Sequence, residues 1–267
     1  MKTVSYFFGG WESGSYKSGV LKRSTVFEEV STDVTEAYDV CFYKSDYRLG
    51  GTFYYSTSQN GTTIPEGIVK YAAKTITVNS SASTRDDMTT RRCFTYSAYR
   101  TTGNVDANWI VYRASDPILM KAEALASLAG KTSDQAEASS LLYSAYELVH
   151  AVFLRSNPTM LATKDIRYGA YSSPSDMLEF IYRERQREFY GEGKRWFDLV
   201  RMAYRSSDTS NMLSLLVRKF AGGASAVRAK MATMNSLFNP VYREEIKVNP
   251  ALIQNPAWED DRTSTRN

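Results

Sequence analysis

Between Asp116 and Phe153 two apolar stripes run at helical spacing, and only about four residues connect them. Asp116-Pro117 reads as a capping side chain followed by proline at the first helical position. Ile118, Leu119, Ala122, Leu125, Ala126 and Ala129 then recur on one face, and Gly130 supplies the stop. Ser133-Asp134 opens the next helix, whose face carries Leu141, Leu142, Ala145, Leu148, Val149, Val152 and Phe153. So short a connection forces the two helices to lie antiparallel, each burying its stripe against the other.

The helical character begins near residue 109 and continues. Ser175 is a candidate cap for a third helix bearing Leu178, Ile181, Tyr182 and Phe189, interrupted at Gly191 and Gly193. A fourth helix resumes with Trp196, Leu199 and Val200, and residues 208–220 carry a shorter pattern in Leu213, Leu216, Val217 and Phe220. Asn239-Pro240, Asn249-Pro250 and Asn255-Pro256 then predict turns and extended pieces, because proline disfavours helix in the residue before it. Before residue 109, Ser, Thr, Gly and Tyr dominate. Residues 50–71 read as a hairpin: Thr52-Phe53-Tyr54-Tyr55, the turn signal Asn60-Gly61, and a return strand at Ile68-Val69-Lys70-Tyr71. Residues 79–92 read as a loop. The expected organisation is an irregular, β-hairpin-containing part over 1–108, a helical region over 109–258 and a frayed tail over 259–267. The fold class is mainly α, with helical hairpins of the tetratricopeptide kind beside the loop-rich part.

Composition removes several function classes. The 33 basic and 29 acidic residues leave a net charge of +4, too slight to demand nucleic acid or an anionic membrane. No apolar run approaches the roughly 20 residues of a membrane span, and Met1-Lys2-Thr3-Val4 opens no signal core. With two cysteines, Cys41 and Cys93, and the single histidine His150, the chain is too poor in ligands for a Cys/His zinc site, and no cofactor is expected. The cysteines read equally as a disulfide in an oxidising compartment or as two small buried residues.

Three segments, in order, resemble the SusD/RagB family. Trp109 to Ala124 is similar to a helix with a hydrophobic residue, arginine and then L-M-x-A-E-A, here Arg113 and Leu119-Met120-Lys121-Ala122-Glu123-Ala124. Glu184 to Arg201 resembles E-R-x-R-E-x-x-x-E-G-x-R-W-x-D-L-x-R, with Glu192, Arg195, Trp196 and Asp198 at its marked positions. Asn239 to Trp258 resembles P-I-P-x-x-E-I-x-x-N-P-x-L-x-Q-N-P-G-Y through Asn249-Pro250 and Asn255-Pro256, departing from it at Val241-Tyr242 and Ala257-Trp258. The match spans 109–258. Before it, only Asp46-Tyr47-Arg48 and Val69-Lys70-Tyr71 match, loosely.

The resemblance implies a non-catalytic lipoprotein on the outer face of the bacterial outer membrane. Such a protein holds an oligosaccharide or other nutrient over a SusC-like, TonB-dependent transporter, and touches the membrane only through an N-terminal lipid anchor. Family members are about twice as long, with export signal and anchor in the N-terminal half. This chain therefore reads as a C-terminal portion, expected to be poorly soluble or partner-dependent when made alone. In the family the second motif is structural: Trp196 and Leu199 pack the helix, while Arg195 and Asp198 tie loops.

Glu184, Glu188, Glu192 and Asp198 invite comparison with the carboxylate pair of a glycoside hydrolase. Each acid, however, has a base nearby among Arg183, Arg185, Arg187, Lys194, Arg195 and Arg201, and such spacing pairs charges on a helix surface. A structural lock is the preferred reading, with a hydrolase or a tetratricopeptide-like adaptor as alternatives. Ligand contacts are expected in 1–108, where Trp11, Tyr16, Tyr38 and Tyr43 lie in loop-like polar surroundings able to present rings to sugar faces. Tyr54 and Tyr55 read instead as half-buried strand residues.

Overall fold

The computed structural model describes residues 110–157, 167–217 and 223–258, together with Asp46, Arg48 and the backbone of six short strands. Those strands are β1 (Gly10–Glu12), β2 (Ser15–Lys17), β3 (Phe53–Thr57), β4 (Thr63–Ile68), β5 (Thr75–Val78) and β6 (Arg92–Thr95), joined as three antiparallel pairs in chain order. Residue 11 stands opposite residue 16 in the first pair. The strand opposite β3 is Thr63–Ile68, upstream of the expected 68–71 stretch, and its register shifts between Tyr54 and Tyr55. Arg92 opens β6, while the rest of the 79–92 stretch lies outside the described residues.

The helices of the first part are α1 (Ser115–Ala129), α2 (Gln135–Ser156) and α3 (Pro174–Glu188), with a 3-10 turn at Tyr168–Tyr171. Helix α1 begins at Ser115, one residue before Asp116, and has no side-chain cap. Asp116 lies buried in the first turn against two cations, which claim the carboxylate expected to cap. Pro117 is accommodated because backbone N–H groups in the first turn have no intrahelical acceptor to lose. Asp134 caps α2, accepting from the Ala136 and Glu137 backbone N–H groups at 2.8 and 3.2 Å. Ser173, not Ser175, caps α3, its hydroxyl accepting from Asp176 N at 3.2 Å. Proline at 174 holds the preceding residue extended, the backbone that a cap needs, so the start moves two residues upstream.

The core is built where these helices meet. Leu119, Ala122, Ala126 and Ala129 of α1 face Ala138, Leu142, Ala145, Val149, Val152 and Phe153 of α2, with Met177, Phe180 and Ile181 of α3 and Phe189 closing the cluster. The alanines let the backbones approach closely, and the larger residues fill the space beside them. After α3 the chain turns through Gly191 and Gly193, both at φ 75°, a left-handed backbone that glycine adopts without a Cβ clash.

Two compact units divide the chain, Met1–Arg195 and Trp196–Asn267. In the second, Leu199 and Ala203 of α4 (Arg195–Ser206) pack with Met212 and Leu213 of α5 (Ser210–Leu216) and with Leu237 of a 3-10 turn at Met234–Leu237. Helices α6 (Ala224–Lys230) and α7 (Arg243–Val248) and a 3-10 turn at Pro256–Trp258 follow. Helix α7 corrects the expectation of turns and extended chain alone. No proline falls between 241 and 249, and acids at its start with Lys247 near its end suit the helix dipole. Phe220 lies outside the described residues. No helix among the described residues is long and apolar enough to cross a membrane.

Candidate functional site

The helical repeat of α3 sets Glu184 and Glu188 one turn apart on the same face, and the glycine turn brings Glu192 in after them. All three are buried. A buried carboxylate needs charged donors to remain ionised, and arginines from several separate segments supply them. Glu184 accepts Arg48 Nη1 at 2.6 Å on one oxygen, and Arg187 Nε and Nη2 at 3.0 and 2.8 Å on the other. Glu188 accepts Arg155 Nη2 at 2.6 and 2.7 Å, the Ser115 hydroxyl at 2.7 Å, Arg48 Nη1 at 3.1 Å and Arg113 Nη1. Arg113 Nε bridges to both Glu192 oxygens at 3.1 and 3.2 Å.

Two further groups complete the network. Arg48 is itself gripped by Asp46 through Nε at 3.0 Å and Nη2 at 2.7 Å, and Asn157 Nδ2 donates to Asp46 at 3.2 Å. On the other side Asp116 accepts Arg185 Nη2 at 3.3 Å and pairs with Lys194, which also donates to the Val111 carbonyl at 2.6 Å. The Phe189 ring lies beneath three of these cations, with Arg113 Cζ, Arg185 Cζ and Lys194 Nζ at 4.7, 5.0 and 5.1 Å from its centroid.

The electrostatics follow from this count of donors. Burial pushes Glu188 up, but the Arg155 hydrogen bond, Arg113, Ser115 and Arg48 outweigh it and bring its pKa down to about 2. Glu184 is likewise lowered, burial being overcome by Arg48 and Arg187. Burial opposes the charge on Arg48 too, yet Glu184 and Asp46 raise its pKa. A general acid must carry a proton near working pH. Carboxylates locked in this way are ionised, sealed from solvent and committed to arginine.

The pairing thus follows the expected helix spacing only in part. Arg183 with Glu179 is such a surface pair, and Arg187 with Glu184 and Arg201 with Asp198 keep the expected i,i+3 spacing, but the acids of the motif are buried, and Glu184, Glu188 and Glu192 also meet arginines far away in the chain. Burial is the physical reason, since a carboxylate facing the core must fill the acceptor sites that its own helix leaves open with donors that other segments bring there. Sequence reasoning missed Arg155, Ser115 and Asn157, which carry no local signal. Asp46 and Arg48 were visible only as a loose family match.

The remaining motif residues separate into two places. In the first unit Glu123 accepts the buried Tyr182 hydroxyl at 2.9 Å, and Arg195 Nη1 donates to the Tyr182 carbonyl at 3.3 Å. In the second, Asp198 accepts Arg201 at 2.6 Å while Leu199 is buried. Trp196, expected to pack with Leu199, is 36% exposed. By helical spacing it shares the face of Leu199 and Ala203, but it stands in the first turn of α4, at the N-terminal end of that stripe. Asn249 Oδ1 accepts Ala251 N at 3.1 Å, and Pro250 is exposed. Asn255 Nδ2 donates to the Asn235 and Phe238 carbonyls at 2.8 and 3.0 Å, and Pro256 opens the last 3-10 turn. Gln254, also missed, clasps Val241 at both its N–H and its carbonyl, at 2.8 and 3.0 Å.

Of the expected ligand contacts, Trp11 and Tyr16 occupy facing positions of paired strands rather than an unpaired loop. Tyr38, Tyr43 and Cys41 lie outside the described residues, and Cys93 sits opposite Thr77 in the third pair. Among the described residues no cluster of His, Cys, Asp and Glu could hold a metal ion.

The family model for SusD matches residues 12–258. The chain belongs to the SusD family. The match reaches far upstream of residue 109, so the SusD-family region includes the second and third strand pairs and the Asp46–Arg48 segment as well as the helices, and it begins at the last residue of β1. Neither the curated proteins nor the solved structures hold a match to this chain.

Proposed function

We propose that this chain is a non-catalytic nutrient-binding protein of the outer-membrane surface. It holds an oligosaccharide and passes it to a TonB-dependent, SusC-like transporter. The observation that carries this reading is the SusD-family match over residues 12–258. The charge network supports it: Glu184 and Glu188, two acids one helical turn apart, are buried and bound to arginines, which leaves neither as a proton donor. In this reading residues 1–108 face the ligand, with Trp11, Tyr16, Tyr38 and Tyr43 as contacts, and 109–258 form the helical frame. The α1–α2 pair is a tetratricopeptide-like hairpin of that frame, and an N-terminal lipid holds the protein at the membrane.

The test is a glycan array followed by calorimetric titration and product analysis on the best ligand. Binding without cleavage, weakened about tenfold or more by Trp11→Ala, is the expected result; tenfold corresponds to about 1.4 kcal/mol of lost stacking. Cleavage products that disappear in Glu188→Gln would replace this reading with a hydrolase. Binding to a soluble protein but to no glycan would replace it with an adaptor.

A further inference from the structure

Arg48 and Asp46 join the charge network differently from its other members. They come from far outside α1–α3, and they neutralise each other locally, two positions apart, through a guanidinium fork. The Arg48 N–H also donates to Asp46 Oδ1 at 2.9 Å, so the two residues are tied to each other through backbone as well as side chain. It then reaches them through Arg48 Nη1, which spans Glu184 and Glu188, and through the Asn157 bond to Asp46. Both carboxylates that Arg48 touches keep other donors. Arg187 holds Glu184 through two N–H groups, and Arg155, Arg113 and Ser115 hold Glu188.

We propose that Asp46 and Arg48 form a detachable strap: a paired unit that fastens the N-terminal part of the chain to the Glu184–Glu188 face of α3 and can leave without stranding a charge there. Breaking a buried ion pair on one side is strongly destabilising, whereas replacing both partners with uncharged side chains of similar volume is often close to neutral. The strap meets that condition. Removing Arg48 alone makes the network one unit more negative, and removing both charges leaves its net charge unchanged. Attachment of the N-terminal part is then a local equilibrium beside the global one.

The test compares the full chain as wild type, R48M and D46N/R48M, by far-UV circular dichroism melting and by hydrogen exchange read by mass spectrometry. Asn at position 46 keeps an acceptor for the backbone N–H of residue 48, and its NH2 group replaces the oxygen that Asn157 Nδ2 meets. R48M is expected to melt roughly 10 °C below wild type, and the double variant to recover half of that loss or more. In the double variant, peptides covering residues 46–48 are expected to exchange about tenfold faster while those of α3 keep their wild-type protection. An R48M chain that does not fold is the extreme of the expected loss and supports the proposal if the double variant folds. A double variant that melts as low as R48M, does not fold, or loses α3 protection along with 46–48 overturns it, because the pair is then part of the core.

Discussion

Arg48 donates to Glu184 across 136 positions of the chain, at 2.6 Å, with Asp46 holding the other side of its guanidinium. Glu184 and Glu188 are therefore not helix-surface charges but the floor of a socket. Arginines from before α1, from the end of α2 and from α3 itself converge on it.

Glu188 makes the protein sensitive to acid. Its pKa falls from 4.5 to about 2, burial being outweighed by Arg155, Arg113, Ser115 and Arg48. A depressed carboxylate contributes stability that is complete above its unfolded pKa and lost as pH falls through the folded one. The window is therefore pH 4.5 down to 2, and the shift is worth about 3 kcal/mol. Urea midpoints of the wild type should drop steeply across it. Glu188→Gln should start about 3–5 kcal/mol lower at neutral pH and decline less steeply. Parallel curves would show that Glu188 is not the titrating group.

Arg113→Lys should behave as a radical change. The guanidinium reaches the Glu188 carboxylate and carbonyl, both Glu192 oxygens and the Ser115 hydroxyl, and it covers the Phe189 ring. An ammonium is a point charge and cannot reproduce that planar fork. A loss of about 2–3 kcal/mol in chemical denaturation is expected. A variant as stable as wild type would mean the fork contributes no more than its charge.

The α1–α2 interface depends on small residues. Ala126 and Ala145 are fully buried, so Ala126→Leu should overpack it and lower stability by about 1–3 kcal/mol. Leu128→Ala, at a 54% exposed position on the same helix, should stay within about 0.5 kcal/mol. Thermal melts of the two variants give the comparison, and a reversed order would place the contact face wrongly.

Asn255→Ala probes the second unit. The amide holds the Asn235 and Phe238 carbonyls together, beside the Trp258 indole N–H that also donates to Phe238, at 2.8 Å. Losing it should cost about 1–3 kcal/mol and quicken tryptic cleavage at Lys230. Cleavage at the wild-type rate would show that the Trp258 bond suffices.

Much of the helical part is legible in sequence because its cause is local. The stripes of α1 and α2 report their buried faces directly, Asp134 caps where its chemistry suggests, and glycines 191 and 193 stand where the backbone turns left-handed. The misreadings are also local. Asp116 has the sequence of a cap and the position of a buried counter-ion, and Ser173 outcompetes Ser175 because a proline follows it.

By itself the sequence determined the family, the helices as far as α5 and the order in which acids and bases alternate along α3. Periodicity and motif spacing are properties of neighbouring residues, and they survive without knowing the fold. Only the tertiary structure decided which arginine serves which carboxylate. Glu184 has Arg183, Arg185 and Arg187 beside it, yet it takes Arg48 and Arg187. Once the carboxylates turn inward, the high energy of an unpaired buried charge selects whichever donors the packed segments deliver, and sequence distance no longer matters.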